Sequence, residues 1–166
     1  MSLDQPIRVL MVCTGNICRS PLAECVLRHK AALRGVKERL HIDSAGVGDW
    51  HVGEAPDPRI KQVASHHGVT MTGTARQVTL QDLRHFDLLV CMDQTHRAHL
   101  CDMGCDHAKA RLLLEFDPQA CSLDVPDPYY GGIEGFHEVF RIVDRGCECL
   151  LDRLLADEGR GHAPRR

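Results

Sequence analysis

The segment VLMVCTGNICRSPLAE, residues 9–24, holds the side chains best suited to chemistry in this chain. An apolar run ends at Cys13, a loop of Thr14, Gly15, Asn16, Ile17 and Cys18 follows, and Arg19-Ser20-Pro21 opens a helical pattern. Gly15 and Asn16 accept unusual backbone angles, so successive loop N–H groups can turn inward as an anion nest. A helix beginning near Ser20 adds the positive end of its dipole at the same point. Such a place binds a tetrahedral oxyanion and keeps a cysteine thiolate charged. Arg19 brings a planar guanidinium that grips two oxygens at once, where a lysine would bring only a point charge. Ser20 can donate its hydroxyl to the sulfur and ease departure of a thiolate. The pattern is not a nucleotide-binding P-loop, because G-x-x-x-x-G-K-[ST] is missing.

Cleavage of a phosphate ester at such a nest needs a proton for the leaving oxygen, and a nearby carboxylic acid can supply it. Three Asp-Pro pairs compete for that role: Asp57-Pro58, Asp117-Pro118 and Asp127-Pro128. Asp-Pro is also a common turn signal, so spacing alone leaves all three open. Tyr129 and Tyr130 flank the last pair, and the single tryptophan, Trp50, lies in a loop rich in Gly and Pro. Flat amphipathic side chains of this kind suit an aromatic substrate ring.

These residues need elements to hold them. The apolar runs 7–13, 40–45, 86–92 and 110–114 read as strands, the last edge-like because Lys109 and Arg111 flank and interrupt it. Between them fall helical patterns: one capped by Ser20 with Pro21 at its first position and stopped by Gly35, one over 58–67, a single turn at 80–83, one from Asp93 to about Met103, and a last over about 133–155. Strands alternating with helices predict an α/β fold with a four-stranded parallel sheet and helices on both faces. In such sheets ligands sit at the carboxyl ends of strands, where Cys13 stands. One domain spanning 1–166 is expected, with 157–166 fraying.

Hydrophobic residues at 43% and charged residues at 26% are ordinary for a globular protein, and a net charge of −3 gives no case for a nucleic-acid partner. No segment reads as a secretory signal or membrane span, and the nine scattered cysteines read as thiols, so a cytoplasmic location is expected.

The string CTGNICRS, with VLMV before it and PLAE after, resembles the C-x5-R-S signature of low-molecular-weight protein tyrosine phosphatases. The resemblance continues through DSAGVGDWHVGEAPDPR, Ala75-Arg76-Gln77, FDLLVCMD and VPDPYYGG, covering roughly residues 7–153. It implies strand order 2-1-3-4 and hydrolysis of phosphotyrosine in proteins, and of aryl phosphates, through a phosphocysteine intermediate. It implies Cys13 as nucleophile, Arg19 as phosphate clamp and, through the following Tyr-Tyr-Gly-Gly, Asp127 as general acid. Residues Thr14, Gly15, Asn16, Ile17 and Cys18 would bind phosphate with Arg19. Asn16, Ser20, Asp43 and Ser44 would hold the loop, and Trp50, Tyr129 and Tyr130 would line the cleft, with the tyrosine pair itself open to phosphorylation. Cys18 would capture an oxidised Cys13 as a reversible disulfide. No metal or cofactor is implied, no membrane partner is expected, and phosphate or vanadate should inhibit. One departure stands out: where the family often has a histidine bonded to the signature serine, this chain has Gly73, leaving His66, His67 or a water to substitute.

Three rivals are distinguishable. A thioredoxin-coupled arsenate reductase of the same fold would use the same nest, with Cys91, Cys101 and Cys105 as an electron relay, but Cys91 belongs to an apolar strand. A zinc site could draw on His96, His99, Cys101, Cys105 and His107. A phosphotyrosine-binding module without turnover would have no need of the nucleophile.

Overall fold

The structure, a computed structural model, describes residues 5–160. Four strands, β1 (Ile7–Cys13), β2 (Leu40–Gly46), β3 (Leu88–Cys91) and β4 (Ala110–Leu112), form one parallel sheet in the order β2-β1-β3-β4. Five helices accompany it: α1 (Arg19–Leu33), α2 (Pro58–His66), α3 (Leu80–His85), α4 (Gln94–Asp102) and α5 (Ile133–Arg160).

The central strand explains the layering. Val9, Leu10, Met11 and Val12 of β1 have no exposed surface, because successive side chains point to opposite faces and both faces are covered. Val9, Met11 and Cys13 join a core with Leu22 and Val26 of α1, Ile60 of α2, and Phe136 and Val139 of α5. Leu10 and Val12 face the other way, into a core with Leu83 of α3 and Leu100 of α4. Each fully buried Leu, Val or Met side chain contributes about 1.5–3 kcal/mol. Cys13 is the last residue of this most buried strand, so the sheet itself fixes its position.

The chain leaves β1 toward β2 on one side, then crosses back to β3 on the other. The carboxyl ends of β1 and β3 therefore flank a crevice of the kind in which α/β proteins bind ligands. Local caps reinforce it. Asp57 accepts the Arg59 N–H at 2.9 Å to start α2, and Asp93 accepts the N–H groups of Thr95 and His96 to start α4.

Several boundaries differ from the sequence reading. Helix α1 opens at Arg19 with Cys18 at its cap, so Ser20 lies inside the first turn and caps nothing; its hydroxyl is bonded to the Cys13 sulfur instead. β3 is shorter because Phe86 ends α3 and Asp87 is held by Arg8. β4 gives way at Leu113 to a short 3-10 turn. Residues 157–160 form the last turn of α5, and the rest of the segment expected to fray, 161–166, lies outside the described residues.

Candidate active site

The loop after β1 is shaped from within by Asn16. With φ of 57° it is the one non-glycine residue in the left-handed region among those described. Its side chain then ties three segments together. Nδ2 donates to Ser20 Oγ and to Ser44 Oγ, each at 2.9 Å, and Oδ1 accepts the Arg76 N–H at 3.0 Å. Ser44 donates to the buried Glu24 carboxylate, whose pKa is raised by burial. The Arg76 guanidinium clamps Asp43 at 3.0 Å and Asp82 at 2.9 Å, so Asp43 supports the loop at one remove. At the end of β2, a Cβ on Gly46 would stand 2.8 Å from the Thr14 carbonyl; only glycine lets the loop pass.

Cys13 is 3% exposed, and its sulfur lies 2.9 Å from Ser20 Oγ. Ser20 already accepts from Asn16, which leaves its own hydrogen for the sulfur, with the Ala45 carbonyl a longer alternative at 3.5 Å. Cys18 is buried beside it. Burial, then the neighbouring charge of Cys13, holds the Cys18 thiol well above the ordinary thiol range, so the two cysteines of the loop are not equivalent.

Arg19 is 4% exposed and draws three loops inward. Nη1 donates to Asp93 Oδ2 at 2.9 Å and to the Val125 carbonyl at 3.0 Å. Nη2 reaches Thr14 Oγ1 at 3.3 Å and Asp127 Oδ2 at 3.5 Å. A buried guanidinium requires such partners to offset its lost hydration. Burial works against the charge on Asp93, but hydrogen bonds from Thr95 and Arg19 help hold its pKa below the usual carboxylate value.

Above this floor opens a cleft of about 320 Å³. Trp50 and His51 form one wall, Tyr129 and Tyr130 the other, with Asp127 at the rim. Trp50 is 62% exposed and Tyr130 94%, a large aromatic surface left facing the opening. Trp50 lies where any side chain on Gly48 would overlap its ring. Arg59 stacks over both Tyr129 and Phe136, at 5.4 and 4.4 Å, and so braces the second wall.

Cys13, Arg19 and Asp127 thus meet at one cleft, with Trp50, Tyr129 and Tyr130 around them. The histidines proposed to replace the family's partner of Ser20 do not do so. His67 stacks on Phe140, and Asn16 serves Ser20 directly. Gly73, at φ of 95°, has no neighbour where a side chain would start, so the position is open space. Of the suggested zinc ligands, His96 is turned inward to Thr14 and Asp93. Among the described residues no group of three or more His, Cys, Asp or Glu side chains converges as a metal site. Cys91 is buried in the second core.

Sequence reading does not single out Asp93 or His51 as site residues, and it names His96 only as a possible zinc ligand. Asp93 carried a signal, an acid just past an apolar strand, but it read as a helix cap, which it also is. His51 adjoins Trp50; its ring packs against Gly15, and its Nδ1 is 2.7 Å from Glu54.

Known proteins resemble this chain over most of its length. Residues 8–160 match the family model described as low molecular weight phosphotyrosine protein phosphatase. A low molecular weight protein-tyrosine-phosphatase of Streptomyces coelicolor is 45% identical over 149 residues, 87% of this chain and 91% of that protein. A low molecular weight phosphotyrosine protein phosphatase of Sus scrofa is 41% identical, covering 88% of this chain and 94% of its own. The crystal structure of YfkJ from Bacillus subtilis superposes with a TM-score of 0.88 at 37% identity, covering 94% of this chain and 99% of that one.

Proposed function

The chain belongs to the low molecular weight phosphotyrosine protein phosphatase family, and from that premise we propose how its own residues hydrolyse phosphotyrosine. The observation that carries the scheme is the convergence of Cys13, Arg19 and Asp127, the last two 108 positions apart, on one aromatic-walled cleft. Phosphoproteins are the substrates.

In the first step the Cys13 thiolate attacks phosphorus in line with the phenolic oxygen. The S–P bond forms as the P–O bond breaks, and Asp127 gives its proton to the departing phenolate. Arg19 and the amides of residues 14–19 hold the remaining phosphoryl oxygens, supplying the electrostatic stabilisation of the transition state. In the second step Asp127, now a carboxylate, takes a proton from water; the water oxygen bonds to phosphorus and the S–P bond breaks. Ser20 donates to the sulfur as it regains its charge. Inorganic phosphate leaves.

Trp50, Tyr129 and Tyr130 hold the substrate ring, while Asn16, Asp43 and Ser44 keep the loop in shape. Phosphate and vanadate occupy the same nest and inhibit. Cys18, kept protonated by burial beside the nucleophile, traps an oxidised Cys13 as a disulfide. Arsenate reduction coupled to thioredoxin is disfavoured by the names of the relatives and by Asp127 at the rim. No helix among the described residues is long and apolar enough to cross a membrane. Nine free cysteines fit a reducing compartment, which supports a cytoplasmic reading.

The test is turnover of an aryl phosphate in EDTA by wild type and Cys13→Ser. Wild type should turn over, and Cys13→Ser should not, while still binding phosphate. Equal rates, or a requirement for added magnesium, would contradict the scheme.

A further inference from the structure

The scheme above uses only the backbone amide of Thr14 and leaves His96 without a part. His96 is 1% exposed, in the first turn of α4. Its Nδ1 lies 3.1 Å from the backbone nitrogen of Asp93, in hydrogen-bonding geometry. A backbone N–H can only donate, so Nδ1 carries a lone pair and not a proton. Asp93 Oδ1 is also 3.2 Å from Nδ1. That oxygen already accepts from the amides of Thr95 and His96, and a proton on Nδ1 would be set against the Asp93 N–H. The single ring proton therefore sits on Nε2, 2.8 Å from Thr14 Oγ1.

Thr14 Oγ1 receives a second donor, Arg19 Nη2, at 3.3 Å. A hydroxyl offers two lone pairs and one proton. With both lone pairs engaged, Thr14 has only its proton left, and its two hydrogen-bond partners among the described residues are both donors. Thr14 lines the cleft immediately after Cys13.

We infer that the Thr14 hydroxyl is a dedicated side-chain donor to a phosphoryl oxygen, held in that sense by His96 as a positioning residue; this rests on reading the loop as a phosphate nest. The arrangement removes a repulsion that a freely turning hydroxyl would permit, its lone pairs against an oxyanion. It also explains why a titratable ring is buried here. Burial, with the nearby Arg19, outweighs the pull of Asp93, Asp127 and Asp124 and pushes the His96 pKa down to about 4, so the ring stays neutral in the pH range where it must donate from one nitrogen only.

Two measurements test this. Long-range 1H–15N NMR on the wild-type protein near neutral pH should show His96 as the Nε2–H tautomer; a proton on Nδ1 would overturn the inference. Inorganic phosphate and vanadate binding is then compared across variants. Thr14→Val should weaken both by about tenfold or more, the scale of a hydrogen bond to a charged acceptor. Thr14→Ser should recover most of that loss. His96→Phe, which fills the space without a donor, should weaken binding too, and the double variant should be no weaker than Thr14→Val alone. Wild-type affinity in Thr14→Val, or additive losses in the double variant, would refute it. Should His96→Phe fail to fold, the tautomer and the Thr14 pair still decide. Wild type that fails to bind phosphate at all would remove the nest, and this inference with it. Wild type that turns over, alongside an unimpaired Thr14→Val, would sink this inference alone.

Discussion

The Ser20 hydroxyl stands 2.9 Å from the Cys13 sulfur and already accepts a hydrogen bond from Asn16. Its proton is thereby aimed at the sulfur. That contact matters most when sulfur is the leaving group, as the phosphocysteine breaks down. Ser20→Ala should therefore lower kcat by about tenfold to a hundredfold, the range for a hydrogen bond to a charged group, and kcat/KM by less. Stopped-flow kinetics on an aryl phosphate should show a larger burst before a slower steady state. An equal fall in both parameters, without a burst, would place the contact in the first step.

Asp127 sits at the cleft rim, 47% exposed and 3.5 Å from Arg19. As a proton donor its worth depends on how badly the leaving oxygen needs the proton. Asp127→Ala should lose about 10²–10⁴ in rate with phenyl phosphate or phosphotyrosine, and far less with an acidic phenol as leaving group. A leaving-group series measures this directly; a uniform loss would assign Asp127 to binding.

His96 makes a stability prediction with a definite sign. Its folded pKa is about 4, against 6.5 for an ordinary histidine. The unfolded chain therefore binds more protons between those values, and stability must fall as pH drops from about 6.5 to 4. The contribution at stake is about 3 kcal/mol at most. Asp93, Arg19, Asp127 and Asp124 surround the ring, so the comparison is with His96→Phe, in which that part of the slope should vanish. Thermal melts of both proteins across this range measure it; parallel curves would show that the ring is not buried neutral.

Cys18 lies buried in the same loop as Cys13 and stays protonated. Peroxide should convert Cys13 to a sulfenic acid, which the Cys18 sulfur attacks, releasing water and closing a disulfide. Activity should return on adding a thiol in wild type and should be largely lost for good in Cys18→Ala. Full recovery in the variant would remove Cys18 from that role.

Local pattern made some of this legible and hid the rest. The run ending at Cys13 could be read because a strand buried on both faces is apolar throughout, and the Gly-Asn loop because few residues bend that way. Ser20 misleads because Ser-Pro is a helix-start signal, whereas here the sulfur competes for its hydroxyl and the helix opens two residues earlier. Asp93 reads as an ordinary helix cap and His96 as a possible zinc ligand, because local spacing shows only that the two are three residues apart. Their contacts with Arg19 and Thr14 span 74 and 82 positions, which no local spacing reveals. The consequence of Gly73 was likewise out of reach, since whether an absent side chain leaves a partner unserved depends on what Asn16 does from elsewhere.

The proposed roles all require a phosphoryl group to pass through the Cys13 sulfur. Quenching the enzyme during turnover of a phosphotyrosine peptide, digesting it and mapping bound phosphate by mass spectrometry tests this. Phosphate is expected on the peptide containing Cys13, with none in Cys13→Ser. Turnover with no phosphate on that peptide, or undiminished turnover by Cys13→Ser, would contradict it.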